Sequence, residues 1–404
     1  MSKIIFINRF FYPDHSATSQ MLTDLVFGLV EGIDDEEIHI VTSRQQYDTP
    51  DALLEKYELI NKVHVHRIWT SRFGRQNLLG RVVDYLSFYI SSIFILFGLT
   101  KKNDIVVAKT DPPLISVIAA GVAKVKGAHL YNWLQDLFPE VAAELGMKFA
   151  RGWPYTMLKK VRNKTLMQAK SNIVIGKAIA NKLRSEGIPD DKITIIHNWA
   201  DEDQIKLVSH EQNTLRYDWG LSEKFVVGYS GNLGRSHDFS TILAAAESLK
   251  NNDDIRFLLI GGGAQLESIK QECIDRKLSN IVFKPYQPRD MLSESLSVSD
   301  IHLISLKPEL EGLILPCKFY GILAVGRPVI FIGAEDGEIA EVVKKESCGY
   351  SITQGDTGNL IESILKEINL LRNTEDGSKK IRKLFDDSYS KKRAITEFAE
   401  VFRR

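Results

Sequence analysis

Residues 226–239 read VVGYSGNLGRSHDF, and this stretch decides the fold class because an apolar run leads directly into a glycine-containing turn. A short unbroken apolar run is typical of a strand that is buried on both faces of a parallel sheet. Gly231 and Gly234 allow the backbone to approach a ligand closely. The stretch therefore predicts a strand, a turn and a helix, with the turn at the carboxyl edge of the sheet, where open α/β sheets bind their ligands.

The same alternation of apolar runs and amphipathic stretches continues along the chain in two series, over residues 4–196 and 226–352. A chain of 404 residues exceeds the size at which a single core stops growing. We therefore predict an α/β protein with two Rossmann-like, doubly wound domains, 1–200 and 201–385. A C-terminal helix within 386–404 is expected to cover either domain.

The composition excludes several classes of protein. There are 52 basic and 52 acidic residues, so the net charge is zero, which argues against binding of nucleic acid. The hydrophobic fraction of 44% excludes a largely disordered chain. Three widely spaced cysteines form no disulfide framework, and the first apolar run is too short for a signal peptide. These features favour a cytoplasmic location.

Three polar segments follow predicted strands of the second series. Arg235 offers a planar cation suited to a phosphate, and His237 is a further possible donor. The glycines 261–263 are expected to form a tight turn beneath a ligand, although a plain turn fits equally well. Lys318 is expected at a helix N-terminus, where the helix dipole disfavours a cation unless an anion is bound. Glu309 and Glu311 lie in the preceding loop, where they can accept hydrogen bonds from a sugar.

The first series offers its own candidates. His15 and Ser16 follow the first predicted strand and stand at a helix start, where they either cap the helix or form part of a site. Asp136 follows another strand and is a candidate base or sugar ligand, the alternative being a helix cap before Pro139. The first turn contains no glycine, which makes a bound NAD or FAD unlikely.

No metal site and no cofactor are predicted. His64 and His66 share one strand face, but no further ligand-spaced cluster accompanies them. Asp201 and Asp203 are expected to be solvated in the linker between the domains.

Residues 85–99 read YLSFYISSIFILFGL and are apolar nearly all round the predicted helix. A transmembrane helix needs about 20 apolar residues, and this run is shorter. The two main interpretations are a helix buried against the first sheet and an interfacial helix that rests on a membrane with basic residues at its edges, within 81–102.

Several motifs taken together resemble the retaining GT-B glycosyltransferases of family 4 over nearly the whole chain. Among these, the chain is most similar to the bacterial transferases of O-antigen, capsule, lipopolysaccharide and colanic acid assembly, including the N-acetylfucosamine transferase type. The motifs are FYPDHSATSQM (11–21), WLQDLFPE (133–140), IHNWAD (196–201), YSGNLGRSHDF (229–239), LLIGGGAQ (258–265) and LPCKFYGILAVGRPVI (315–330).

The resemblance implies two Rossmann-like domains that face a central cleft, metal-independent transfer with retention, and a nucleotide-sugar donor, UDP-linked, held mainly by the second domain. It implies an undecaprenyl-diphosphate-linked saccharide as acceptor, with contacts at His15, Ser16 and Asp136. The expected donor-binding residues are Gly231, Asn232, Leu233, Arg235, His237, Gly261, Gly263, Tyr286, Leu315, Pro316, Lys318 and Asn198. The expected catalytic residues are Asp136, Glu309, Glu311, Arg235 and Lys318.

The chain departs from the family at the paired glutamates, whose places are held by Leu313 and Gly321. Two alternatives stay open. A nucleotide-sugar 2-epimerase of GT-B-like fold would convert the donor without an acceptor, and a non-catalytic scaffold would bind the nucleotide sugar without forming a product.

Overall fold

The computed structural model describes residues 2–32, 36–47, 53–74, 78–147, 149–371 and 377–403. The chain divides into two compact units. The first domain comprises Met1–His197 and Lys392–Arg404, and the second domain comprises Asn198–Lys391. The division therefore gives the last helix of the chain to the first domain.

The first domain alternates strands with helices over most of its length. Its elements are β1 (Ser2–Ile7), α1 (Ala17–Gly32), β2 (Glu36–Ser43), β3 (Tyr57–Ile60), β4 (Val63–Ile68), α2 (Leu78–Leu99), β5 (Ile105–Lys109), α3 (Ile115–Lys126), β6 (His129–Leu134), α4 (Glu140–Glu144), α5 (Gly152–Gln168), β7 (Ser171–Val174), α6 (Lys177–Ser185) and β8 (Ile193–Ile195).

The second domain repeats the pattern with a smaller sheet. Its elements are α7 (Thr214–Asp218), β9 (Phe225–Ser230), α8 (Ser240–Ser248), β10 (Ile255–Ile260), α9 (Leu266–Asp275), β11 (Ile281–Lys284), α10 (Leu292–Ser297), β12 (Ile301–Ser305), α11 (Lys318–Ala324), β13 (Val329–Gly333), α12 (Glu338–Glu346), β14 (Gly349–Thr353), α13 (Thr357–Leu371) and α14 (Gly377–Ser388). The final helix, α15 (Lys391–Arg403), returns to the first domain.

The first sheet has the strand order β3-β4-β2-β1-β5-β6-β7-β8, and the second has the order β11-β10-β9-β12-β13-β14. All described pairings are parallel except β3 with β4, which is antiparallel at the edge of the first sheet. Each sheet has a switch point, where strands on either side are added in opposite directions. It lies between β1 and β5 in the first sheet and between β9 and β12 in the second. Such switch points open crevices at the carboxyl ends of the strands, where open α/β sheets bind ligands. The predicted fold class is confirmed.

Both faces of the first sheet are covered. Phe88 and Leu96 of α2 and Ile115 of α3 are fully buried against one face. On the other face, Phe398 and Phe402 of α15 pack with their rings against aromatic side chains of the sheet. This double cover explains why the central strands read as continuous apolar runs instead of alternating with polar residues.

Candidate active site

Two glycine turns of the second domain, after β9 and β10, interlock beside its switch point. Gly231 follows β9 and donates its N–H to Ile260, while the N–H of Leu233 bonds to Gly262 at 2.7 Å. Gly231, Gly261 and Gly263 all have positive φ, at 131°, 134° and 142°. A Cβ atom on Gly261 would clash with the carbonyl oxygen of Gly231. Only glycine therefore allows the two backbones to lie this close.

Two further side chains hold the turns together. Gln265 donates from Nε2 to the carbonyl oxygens of Gly234 at 2.6 Å and of His237 at 3.2 Å. The ring of Tyr286 lies against Gly261 and Gly262, and its hydroxyl lies 3.4 Å from the Gly262 carbonyl. The Tyr286 side chain is 59% exposed beside the turn. An exposed aromatic ring can stack on a nucleoside base.

Lys318 brings a buried cationic group to the first turn. Lys318 is the first residue of α11, and its Nζ lies 3.5 Å from the ring centroid of Tyr229. A Cβ atom built on Gly231 would lie 3.4 Å from this Nζ. The nitrogen is buried and makes no hydrogen bond within the described chain. Burial lowers the pKa of Lys318 well below its usual value, because the charged amine loses its hydration.

His237 is buried close to Lys318 and is uncharged. Burial, aided by the charge of Lys318, lowers the pKa of His237 to about 4. Its Nδ1 lies 2.5 Å from the carbonyl oxygen of Ser305, the last residue of β12, so Nδ1 carries the proton as donor. Nε2 is then the acceptor nitrogen. His237 can therefore accept a hydrogen bond at neutral pH but cannot supply a positive charge.

Arg235 and Glu309 lie on the surface near these turns, and both are exposed. Glu311 is partly buried and accepts the N–H of Glu338 at 3.0 Å, at the start of α12. Burial raises the pKa of Glu311, although this hydrogen bond opposes the shift. The structure thus gives Glu311 a helix-capping contact, while the side chains of Arg235 and Glu309 are exposed to solvent.

The N-terminus of α8 is occupied by the carboxylate of Asp238. The carboxylate of Asp238 accepts the N–H groups of Ser240 and Thr241 at 3.3 and 3.2 Å, and it also accepts both of their hydroxyl groups. Burial alone would raise the pKa of Asp238, but these hydrogen bonds hold it below its usual value. The first amides of α8 are therefore already bonded to a carboxylate.

The segment before α11 approaches the start of the second domain. Asn198 is buried and donates from Nδ2 to the sulfur of Cys317 at 3.1 Å. Pro316 is buried and Leu315 is partly exposed. Asn198 therefore helps to fix the loop that carries Lys318, and it takes part in the site through this loop.

Asp136 lies at the carboxyl edge of the first sheet, just after β6. It lines a small cavity of about 30 Å³ with Thr110, Leu134 and Arg162, among others. Burial and the nearby charge of Asp111 raise the pKa of Asp136 to about 6, and a hydrogen bond with Thr110 opposes the shift. The N-cap residue of α4 is Pro139, and this cap has no side-chain hydrogen bond among the described residues. Asp136 is therefore not the cap of this helix. A carboxylate with this pKa can act as a base near neutral pH.

His15 and Ser16 lie between β1 and α1. Ser16 donates both its N–H and its hydroxyl to Oδ1 of Asp14, at 2.8 and 2.5 Å. His15 is exposed, and its carbonyl oxygen accepts from Gln20. Asp14 therefore organises this turn, and the imidazole of His15 projects from it toward solvent.

Some residues of the site were not predicted from the sequence. Tyr229 belongs to the apolar run before the first glycine turn, and its ring contacts the amine of Lys318. Ser305 orients His237, and Gln265 joins the two turns. A buried aromatic residue next to a glycine turn is the only local signal for Tyr229, since its partner lies far away in the sequence.

Within the described ranges, no group of three or more His, Cys, Asp or Glu side chains is arranged to hold a metal ion. His64 and His66 instead belong to a stack of rings with His39 on β2.

The chain is similar to known glycosyl transferases. The family model described as "Glycosyl transferases group 1" matches residues 211–394, which include both glycine turns and Lys318. The probable glycosyltransferase WbjE of Pseudomonas aeruginosa is 23% identical over 303 residues, covering 75% of each chain. The putative colanic acid biosynthesis glycosyl transferase WcaI of Escherichia coli K12 is 27% identical over 274 residues, covering 65% of this chain and 66% of that one.

Solved structures resemble the whole chain. Sucrose-phosphate synthase from Thermosynechococcus elongatus has a TM-score of 0.80 at 14% identity, with 100% of this chain and 98% of that chain covered. Anabaena Alr3699/HepE in complex with UDP and glucose has a TM-score of 0.75 at 15% identity, with both chains fully covered. The protein therefore has the GT-B fold of two Rossmann-like domains, and its second domain is similar to the glycosyl transferases of group 1.

Proposed function

We propose that the protein is a retaining, metal-independent glycosyltransferase that transfers a sugar from a UDP-sugar to a lipid-linked saccharide in the biosynthesis of a bacterial surface polysaccharide. The observation that carries the proposal is the amine of Lys318, which is buried beside Gly231 without a hydrogen-bond partner in the described chain. A buried amine is costly unless an anion arrives to pair with it. The diphosphate of a nucleotide sugar is such an anion.

The donor half of the proposal rests on the second domain. The diphosphate binds between the turn at Gly231 and the amine of Lys318, with Arg235 reaching it from the surface. Tyr286 stacks on the base beside the turn at Gly261. The complex of HepE with UDP and glucose supports UDP as the carrier. WcaI, described as a putative colanic acid biosynthesis glycosyl transferase, supports a surface polysaccharide as the product.

The chemical step breaks the bond between the anomeric carbon and the diphosphate oxygen, and forms a bond from the anomeric carbon to an acceptor oxygen on the same face. Negative charge develops on the departing diphosphate, and the acceptor hydroxyl gives up its proton to that diphosphate. Fixed positive groups at Lys318 and Arg235 stabilise this charge, as oxyanion-binding groups do in other transferases. Asp136 acts on the acceptor side as a positioning or auxiliary base.

The proposal is tested with Arg235→Ala and Lys318→Ala, using the exposed Lys250→Ala as the matched loss of a surface charge. Loss of one charged hydrogen bond to phosphate costs about 1.5–3 kcal/mol, so each site variant should bind UDP about 10- to 100-fold more weakly. Binding is measured by the UDP-dependent thermal shift, which grows with the logarithm of ligand excess. Normal binding by both site variants would refute the donor site.

Transfer itself is assayed with a panel of UDP-sugars and lipid-linked acceptors. We expect a glycosylated lipid whose new linkage has the anomeric configuration of the donor, as measured by NMR. Incubation of the donor alone is the control, because an epimerised sugar without acceptor would identify an isomerase. Tight UDP-sugar binding without any product across the acceptors would identify a scaffold.

A further inference from the structure

The outward side of α2 is apolar along its whole length. Eight of its large hydrophobic side chains are between 40% and 80% exposed: Leu79, Val82, Val83, Leu86, Ile90, Ile93, Phe94 and Phe97. Their spacing of three and four residues places them on one stripe of the helix. A helix on the surface of a soluble domain normally turns a polar side to water, so this stripe is an exposed apolar patch of the kind that marks an interaction site.

The inward side of α2 belongs to the core of the first domain. Phe88 and Leu96 are fully buried. The carboxylate of Asp84 accepts hydrogen bonds from the Ser71 hydroxyl at 2.6 Å and the Phe73 N–H at 3.0 Å, and it lies 3.7 Å from Arg9. Residues 79–99 are long and apolar enough to cross a membrane. Since one side is packed and bonded into the domain, only the stripe is available to another surface.

Basic side chains border the stripe at one end. Lys101 and Lys102 follow α2, and Lys124 and Lys126 lie in the last turn of the neighbouring helix α3. Nζ of Lys126 lies 3.9 Å from the ring centroid of Phe97, which joins the lysines to the stripe directly. In 78–103 and 115–126 the sequence has a single acidic residue, the buried Asp84. The chain as a whole is neutral, so positive charge is concentrated here.

Two exposed aromatic side chains extend the apolar surface before the helix. Trp69 is 66% and Phe73 is 69% exposed. The carbonyl of Trp69 accepts the hydroxyl of Ser91 at 2.9 Å, which ties this segment to α2. Aromatic rings of this kind are typical of the boundary between headgroups and acyl chains.

We propose that the apolar stripe of α2 and the four lysines beside it bind the surface of an anionic lipid bilayer. The stripe inserts among the acyl chains near the headgroups, and the lysines pair with anionic headgroups. Charge complementarity favours anionic lipid over a second copy of this chain, because residues 78–103 and 115–126 offer no exposed acidic residue that could pair with the lysines of another copy. The proposal rests on the proposed function in one respect, namely that a lipid-linked acceptor lies in the same bilayer.

The test is flotation of the full chain with vesicles of phosphatidylcholine alone and of phosphatidylcholine with phosphatidylglycerol. We expect binding to the anionic vesicles only, weakened by salt. Ile90→Ser with Phe94→Ser should reduce binding about tenfold or more, since both side chains are already exposed and each loses apolar burial in the lipid. Ile274→Ser, which removes an equally exposed side chain from α9, is the matched control and should bind as the wild type does.

A second variant does not touch any apolar contact. Lys101→Gln with Lys102→Gln should weaken binding to anionic vesicles about 25-fold, at about fivefold for each lysine near the surface. Equal binding to both vesicle types, or unchanged binding by both variants, would overturn the proposal. So would a wild-type dimer that the serine variant dissociates in the absence of lipid, as measured by light scattering. UDP binding is measured on the same samples: normal UDP binding without flotation rejects the lipid surface alone, and flotation without transfer rejects the proposed function alone.

Discussion

Lys318 is buried in the free protein, where its positive charge is poorly stabilised. Its amine is buried, and the ring face of Tyr229 at 3.5 Å offsets only part of the lost hydration. Unfolding returns the side chain to water, where its usual pKa applies. The unfolded chain therefore binds a proton that the folded protein does not hold, at every pH between the lowered pKa and the usual one. In that window stability falls as the pH is lowered.

Replacement of this amine by an apolar side chain of similar length should stabilise the protein. We expect Lys318→Met to raise the melting temperature in the absence of nucleotide at neutral pH, by about 2–4 °C for each kcal/mol regained. The advantage should shrink as the pH approaches 10.5, the usual lysine value, because both states are then neutral. Calorimetry from neutral to high pH, without nucleotide, measures the difference in melting temperature between this variant and the wild type.

The matched control is Lys250→Met, whose side chain is exposed at the end of α8 and should leave the melting temperature nearly unchanged. A lower melting temperature for Lys318→Met at neutral pH would contradict the argument, since it would mean that the amine stabilises the free protein.

The sequence could predict Lys318 but not its surroundings. A lysine at the first position of a helix conflicts with the helix dipole, and this conflict is visible in the sequence alone. That its amine would rest on Tyr229 depends on how β9 and α11 pack, and 89 positions separate the two residues in the chain. Glu311 is a second example, because its contact with the start of α12 also depends on tertiary structure.

At the scale of elements, the turns after β9 and β10 act as one unit. Gly261→Ala would place a Cβ atom against the carbonyl oxygen of Gly231 at a positive φ. We expect it to destabilise the second domain by about 1–3 kcal/mol and to abolish UDP binding, because the two turns must separate. Denaturant unfolding and the UDP-dependent thermal shift measure the two effects.

Gly262→Ala is the matched control for this turn. Its Cβ atom would meet only the Tyr286 ring, at 3.5 Å, which is an ordinary contact. The control should therefore fold and bind UDP nearly as the wild type does. Equal behaviour of the two alanine variants would show that the close approach of the turns does not matter.

Most strands were predictable because they are continuous apolar runs between polar turns. The edge strand β3 is harder to predict, since the four residues YELI pair antiparallel to β4 and are half exposed. Helix α5 is hard to predict for a related reason. Among its described residues only Arg162, Thr165 and Leu166 are buried, so its sequence lacks a clear apolar stripe. Elements with little apolar burial leave little pattern in the sequence.

At the scale of the whole molecule, the first domain depends on α15. The ring of Phe398 is fully buried with its centroid 4.9 Å from that of Trp133 on β6. Phe398→Ala should cost the first domain about 3–5 kcal/mol and lower its unfolding temperature by about 10 °C. Scanning calorimetry measures the loss, and UDP binding by the second domain should persist at 25 °C.

Thr396→Ala provides the control within the same helix, because its exposed hydroxyl bonds only to the carbonyl of Lys392 among the described contacts. It should leave the unfolding temperature of the first domain nearly unchanged. A similar loss in both variants would point to helix propensity instead of ring packing as the cause.

The two-domain architecture was predictable from the repeated series of strands and helices. The sequence left open which domain the last helix covers, because an amphipathic helix fits any apolar surface of suitable shape. Only the contacts of Phe398 and Phe402 with the first sheet answer that question.

The return of α15 also sets the order in which the chain can mature on the ribosome. Residues 198–391, the entire second domain, are synthesised before the helix that completes the core of the first. Until translation reaches Phe398, the nascent first domain exposes Phe6, Tyr131 and Trp133. A prematurely terminated chain would keep this surface open to chaperones and proteases, so the first domain becomes stable only after the second domain has been made.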